Sequence, residues 1–207
     1  MKGFIGKIAL ALACAVLAGA VLFAFGGCKK KDEAPSGEGG FALTDAQTER
    51  IKELAEAFYE FGPFDMDAGI DIRKIERFIW CMYAHKLDES AFSGYGRVAL
   101  DETDEMIDSV FKGIKIHDKI RTKYDITKDQ ELFLLNDYYY VKLPDTPAPE
   151  AKIVSAEPLT DDGGNIIGVI AKAEVTCGGN KCLLTMKLYN SDVKEYYAGS
   201  CSAEDLI

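Results

Sequence analysis

Cys81 and His85 lie four residues apart in a segment with helical periodicity. A cysteine beside a histidine can act as a nucleophile with its general base, because the imidazole takes the thiol proton. The sequence places no orienting acid next to His85, and a cysteine on a helix is more often structural. We therefore predict that the pair is not catalytic, and that the other histidine, His117, lies on the surface.

The acidic stretch DMDAGIDIRKIE partly follows the spacing of an EF-hand calcium loop. Its four carboxylates at ligand positions are Asp65, Asp67, Asp71 and Glu76. Two other positions depart from the motif, because Gly69 replaces an oxygen donor and Ile70 replaces the glycine of the sharp turn. We predict an acidic loop without metal in which Asp71 caps the next helix. Weak calcium binding is the alternative.

Cys177 and Cys182 flank GGNK between two stretches of alternating apolar residues. If 178–181 is a four-residue hairpin loop, the two cysteines lie opposite each other and both sulfurs point to the apolar face. This register predicts a disulfide, provided that the pair is of the non-hydrogen-bonded type. The alternatives are a bond from Cys81 or Cys177 to Cys201, or free buried thiols. No metal site is expected here, because no histidine or third cysteine lies nearby.

Three consecutive tyrosines, Tyr138, Tyr139 and Tyr140, lie in a stretch rich in β-forming residues. Side chains alternate between the two faces of a strand, so one or two of these rings should leave the core. Exposed rings on a sheet can bind sugars, peptides or a partner protein. The triplet is therefore our candidate binding site, and ordinary packing is the alternative.

The elements that position these residues fall into a helical part, 44–123, and a β-meander, 130–205. The predicted helices are 45–61, 72–86 and 101–113. The predicted strand-like stretches are 131–143, 151–159, 166–177, 182–190 and 193–202. We predict one α+β domain over 41–207, with three N-terminal helices packed on a curved, mostly antiparallel four- to five-stranded sheet. This layout resembles cystatin-like and nuclear-transport-factor-like folds, a likeness that implies no function.

The chain has 207 residues, and its charge is unevenly distributed. Residues 1–27 contain two bases, Lys2 and Lys7, and no acid, so the body from Cys28 onward has 22 Lys and Arg against 34 Asp and Glu. Its formal charge of −12 follows from these counts. Because phosphate backbones repel so acidic a body, we expect no nucleic-acid partner.

An apolar run from Ile8 to Phe25 precedes the sequence GGCKKKDEAPSGEGG. Its length suits either a signal peptide or a membrane-spanning helix, and its many alanines favour the signal peptide. Residues 25–28, Phe-Gly-Gly-Cys, resemble the lipobox of bacterial lipoproteins, although Phe25 replaces the usual Leu, Val or Ile. The resemblance implies cleavage before Cys28 by signal peptidase II and lipidation of Cys28. An uncleaved helix and free secretion are the alternatives.

In this interpretation 1–27 is the signal peptide, and 28–40 is the lipidated N-terminus with a flexible tether. The body is then held at the outer face of the cytoplasmic membrane, with the lipid bilayer as its first partner. Lysines 29–31 can contact anionic headgroups there. Cys14 is a poor competitor for lipidation, because an apolar run would follow the cut.

The sequence lacks GxSxG, P-loop, HExxH and paired CxxC motifs, so we expect neither an enzyme nor a cofactor. The whole chain resembles small bacterial surface lipoproteins. We predict a non-catalytic module that binds a ligand or protein at the cell envelope. The alternatives are an envelope glycan hydrolase that uses an acidic pair and a calcium-responsive adhesion module.

Overall fold

The computed structural model describes residues 41–192 and 194–206. These residues form three helices and eight strands. The predicted signal peptide, the lipidation site Cys28 and the tether lie outside the described residues. Among the described residues, no helix has the length and apolar character needed to cross a bilayer.

The first helix, α1 (Asp45–Phe61), begins and ends where its sequence signals predict. Thr44 Oγ1 accepts a hydrogen bond from Gln47 N at 3.2 Å, and Gln47 Oε1 accepts one from Thr44 N at 2.9 Å. These two bonds are the predicted capping box. Gly62, at φ 80°, ends the helix.

The other two helices are shorter than predicted. The second, α2 (Ile72–Tyr83), is capped as expected by Asp71, whose carboxylate accepts a hydrogen bond from Arg73 N at 2.9 Å. It ends at Tyr83 instead of residue 86, since residues 84–86 form a turn. The third, α3 (Leu100–Val110), stops before Gly113, which has φ 79°.

The strands form two separate sheets in which every strand pair is antiparallel. The strands in chain order are β1 (Phe64–Asp65), β2 (Tyr95–Ala99), β3 (Leu132–Leu135), β4 (Tyr138–Lys142), β5 (Glu150–Thr160), β6 (Ile166–Cys177), β7 (Asn180–Asn190) and β8 (Tyr196–Asp205). The larger sheet has the order β1-β8-β7-β6-β5, and the smaller has the order β2-β4-β3.

The α+β class is confirmed, and the predicted arrangement needs two corrections. The helices do not all precede the strands, because β1 follows α1 and β2 precedes α3. The stretch 131–143 is two strands, since Asn136 and Asp137, at φ 50° and 62°, turn the chain between β3 and β4. The three-stranded sheet therefore arises from the predicted stretch 131–143, which forms two strands, and from residues 95–99, where no strand was predicted.

The helices contact both sheets. α1 packs on β5, β6, β7 and β8 of the larger sheet, while α2 and α3 contact strands of the smaller one. Phenylalanine rings fill much of the space between them, with neighbouring centroids 4.9–6.4 Å apart. These rings belong to Phe58, Phe61, Phe64, Phe78 and Phe111.

Candidate functional site

The hairpin between β6 and β7 corrects the predicted disulfide register. Cys177 pairs with Asn180 across a two-residue turn, and Cys182 pairs with Val175. Gly178 and Gly179 adopt φ 56° and 89°, which permits the tight turn and shifts the register by two residues. A two-residue shift keeps every side chain on its predicted face, so the apolar inner face is confirmed except at Cys177, which is only half-buried.

All four cysteines in the described part of the chain are free thiols, so neither the Cys177–Cys182 bond nor a bond to Cys201 is present. Cys81, Cys182 and Cys201 are buried. Burial raises the pKa of Cys81 and that of Cys201 to about 12. The buried thiols therefore behave as small apolar side chains.

In the structure a carboxylate lies beside His85, although the sequence places no acid next to it. Glu60 Oε1, on α1, lies 3.6 Å from His85 Nε2. Nevertheless, no hydrogen bond joins Cys81 to His85 within the described ranges, and burial is the largest influence on the pKa of Cys81. The Arg77 guanidinium lowers that pKa less than burial raises it. The thiolate is the nucleophilic form of cysteine, and a raised pKa leaves little thiolate at neutral pH.

The four candidate calcium ligands do not converge on one point. Asp65 Oδ1 accepts a hydrogen bond from Asp67 N, and Asp71 is occupied in capping α2. Glu76 is buried and faces the core. In the part of the chain that the structure describes, no group of three His, Cys, Asp or Glu side chains is placed to hold a metal ion.

Glu76 instead belongs to a buried polar network that the sequence analysis missed. It accepts hydrogen bonds from Thr122 N at 2.7 Å, Thr122 Oγ1 at 2.8 Å and the Tyr139 hydroxyl at 2.8 Å. Arg121 NH1 donates to the same hydroxyl at 3.1 Å, and Arg121 NH2 donates to the Asp104 carboxylate at 2.8 Å. Burial, and then the Glu76 charge, raise the pKa of Tyr139. One signal was available: Glu76 interrupts the apolar stripe of α2.

The tyrosine triplet alternates between the two faces of β4, as predicted. Tyr139 is fully buried, while Tyr138 and Tyr140 point away from the helices, and Tyr138 remains 38% exposed. The outer side of the smaller sheet therefore displays aromatic rings. A binding role for these rings stays a prediction.

We define the outer aromatic face by six rings on this side of the smaller sheet. They are Phe92, Tyr95, Tyr124, Phe133, Tyr138 and Tyr140. Phe133 is only 2% exposed, although it lies outside the main core cluster. Its ring stacks on Tyr140 with centroids 5.2 Å apart and planes 11° apart, and Tyr124 lies 4.8 Å from it. The smaller sheet is thus apolar on both sides, with one end of the face left open at Tyr138.

Arg97 provides a positive charge at the open end of the outer aromatic face. It lies opposite Tyr140 in the β2–β4 pair, and its guanidinium carbon is 5.0 Å from the centroid of the Tyr138 ring. Among the described residues, Arg97 forms no ion pair with a carboxylate. The face therefore combines flat apolar rings with a guanidinium that can donate to a carboxylate or another acceptor.

Each edge of the smaller sheet is hydrogen-bonded to another chain segment over part of its length. Ser90 N donates to Tyr95 O at 2.7 Å on the β2 side. On the β3 side, Leu134 N donates to Thr122 O at 2.7 Å. An added peptide strand would have to displace part of this chain where these bonds form, whereas the Tyr138 ring is 38% exposed.

No protein-family model, no curated protein and no solved structure matches the chain. A functional proposal for this protein therefore depends on its own residues and their geometry.

Proposed function

We propose that this protein is a membrane-anchored lipoprotein of the cell envelope that binds a ligand, without catalysis, through its outer aromatic face. The lipobox-like sequence that ends at Cys28 supports the anchoring. The observation that carries the binding role is the double-sided apolar character of the smaller sheet. If the outer face of this sheet met only water, its strands would be expected to alternate between apolar inner residues and polar outer residues.

The ligand class that we propose is a glycan that bears carboxylates. Flat rings at Tyr138 and Tyr140 offer apolar surface to the similarly flat faces of sugar rings, and Arg97 offers paired donors to a carboxylate. A peptide that adds as a β-strand is less suitable, because another chain segment is hydrogen-bonded to part of each edge of the smaller sheet.

Cosedimentation with purified, insoluble cell-wall glycan tests this proposal. The intact chain is kept in detergent, and Tyr138→Ser and Arg97→Gln are compared with the unchanged protein. We expect each change to weaken binding about tenfold, the effect typical of a central aromatic or arginine contact. Arg97→Gln should act only on carboxylated glycan and leave binding to a neutral glycan unaltered.

Tyr189→Ser is the matched control, because Tyr189 is a half-buried tyrosine that stacks on Tyr197 in the larger sheet, 5.3 Å between centroids. Its binding should equal that of the unchanged protein. Equal binding by all of the variants, or the absence of glycan binding, would disprove the proposed role of the outer aromatic face.

A further inference from the structure

The connection between α3 and β3 is basic in an otherwise acidic protein. Residues 112–128 read KGIKIHDKIRTKYDITK and contain six Lys and Arg against two Asp. This segment therefore has a formal charge of +4, and the remainder of the body beyond Cys28 has −16. We name residues 112–128 the basic segment. The exposed lysines of this segment form a local concentration of positive charge beside the carboxylates of α3.

The lysines of the basic segment are accessible. Five are exposed: Lys112, Lys115, Lys119, Lys123 and Lys128. Lys128 pairs with Asp125 at 3.0 Å, whereas Lys115, Lys119 and Lys123 form no ion pair within the described ranges. Their charges are thus available to an external partner.

An apolar side chain projects from the same segment. Ile126 is 83% exposed, more than any other large apolar residue among those described. Asp125 Oδ1 accepts hydrogen bonds from Thr127 N at 3.0 Å and Thr127 Oγ1 at 2.7 Å, and Lys128 N donates to Asp125 O at 3.0 Å. These bonds define a turn that presents Ile126 to the outside, so little conformational freedom is lost when the side chain meets an apolar partner.

We infer that the basic segment lies on the anionic surface of the bilayer, with Ile126 inserted at the level of the headgroups. Lysines near a membrane are attracted by anionic lipids, and an apolar side chain between them gains from leaving water. Asp104, Glu105 and Asp108 of α3 line the same cavity as Lys115. Carboxylates farther from the segment are screened, because the Debye length is only about 8 Å at physiological salt.

This inference rests on the proposed anchoring through Cys28. The tether of residues 29–40 can extend to about 40 Å at most. Such a length keeps the domain close to the bilayer, where even a weak contact is formed often because the effective concentration is high. The contact would hold the domain in one orientation relative to the bilayer.

Quenching of tryptophan fluorescence by brominated lipids measures this contact. The intact chain carrying Ile126→Trp is placed in vesicles of brominated phosphatidylcholine and phosphatidylglycerol, and Val154→Trp, at an exposed site on β5, is the control. The natural Trp80 contributes the same background to both. We expect strong quenching at position 126 that requires phosphatidylglycerol and falls at high salt, and none at position 154.

Removal of the lysines tests the electrostatic part. The triple change Lys115→Gln, Lys119→Gln and Lys123→Gln is made in the Ile126→Trp protein. It should lower the equilibrium constant for docking of the domain on the bilayer about 100-fold at low salt. Three exposed lysines outside the segment, Lys152, Lys172 and Lys194, provide a control with the same change in net charge. Their replacement by Gln should leave quenching at position 126 unaltered or increased.

Flotation of the vesicles separates this inference from the proposed anchoring. A chain that floats only when Cys28 is intact, and that shows no quenching at position 126, would disprove the contact and leave the anchoring in place. Equal quenching at positions 126 and 154, or quenching that ignores phosphatidylglycerol, would also disprove it. A chain that does not float at all would disprove both.

Discussion

At the scale of single residues, Tyr139 joins two buried charges of opposite sign. Its hydroxyl donates to Glu76 and accepts from Arg121, so one oxygen satisfies a carboxylate on α2 and a guanidinium between α3 and β3. Buried charges are tolerated only when they are paired and hydrogen-bonded. The same hydroxyl therefore connects the helices to the smaller sheet that carries the outer aromatic face.

Tyr139→Phe removes this oxygen while it keeps the ring. We expect the free energy of unfolding to fall by about 1–3 kcal/mol, because Glu76 and Arg121 each lose a partner in a buried position. Urea denaturation of the intact chain measures the change.

Tyr140→Phe is the matched control, since Tyr140 is half-buried and its hydroxyl forms no hydrogen bond with a described residue. That variant should stay within about 0.5 kcal/mol of the unchanged protein. An equal loss in the two variants would contradict the role assigned to the Tyr139 hydroxyl.

At the scale of elements, the two hairpins show how turns decide registers. The prediction for β6 and β7 assumed a four-residue loop, and the glycines at 178 and 179 allow a two-residue one instead. Within ELFLLNDYYYVKL, Asn136 and Asp137 turn the chain at positive φ, although neither is glycine. Asn and Asp tolerate this conformation better than other residues do, so the dipeptide was a turn signal.

Asp137→Val tests the turn between β3 and β4. A β-branched residue at φ 62° is strained, so we expect a loss of about 1–2 kcal/mol in unfolding free energy. The urea midpoint should fall without a change in slope.

Asp162→Val provides the comparison, because Asp162 is exposed in the turn between β5 and β6 and does not have positive φ. It should have little effect on the midpoint. Glycan binding by the Asp137→Val variant should also weaken, because the strained turn displaces part of the smaller sheet.

At the scale of the whole molecule, burial of cysteine thiols and tyrosine hydroxyls makes the stability of the fold depend on pH in the alkaline range. Burial raises the pKa of Cys81 and of Cys201 to about 12, from an ordinary value near 9. The folded state therefore keeps protons that the unfolded chain releases. Stability from this source is complete below about pH 9 and is lost as the pH rises toward 12.

Urea midpoints at about pH 8 and about pH 10.5 test this linkage. We expect a lower midpoint at the higher pH, and a smaller difference in the variant Cys81→Ala with Cys201→Ala. Buried tyrosines also add to the alkaline loss, since burial raises the pKa of Tyr139. An unchanged pH dependence in the double variant would show that the two thiols are not its source.

Local patterns in the sequence were sufficient for features that neighbouring residues control. The Thr44 capping box, the Asp71 cap, the α+β class, the apolar face of β6 and β7 and the alternation of the tyrosines are all short-range or periodic properties. Each depends on backbone hydrogen bonds or side-chain spacing within a few residues.

Only the tertiary structure decided which distant residues meet. Glu76 lies 63 positions from Tyr139, and Glu60 reaches His85 from another helix. The second sheet requires β2, β3 and β4 to assemble around α2 and α3, a choice made by packing of the whole core and not by any local pattern. The outer aromatic face exists because that sheet forms, so its site could not be read from the tyrosines alone.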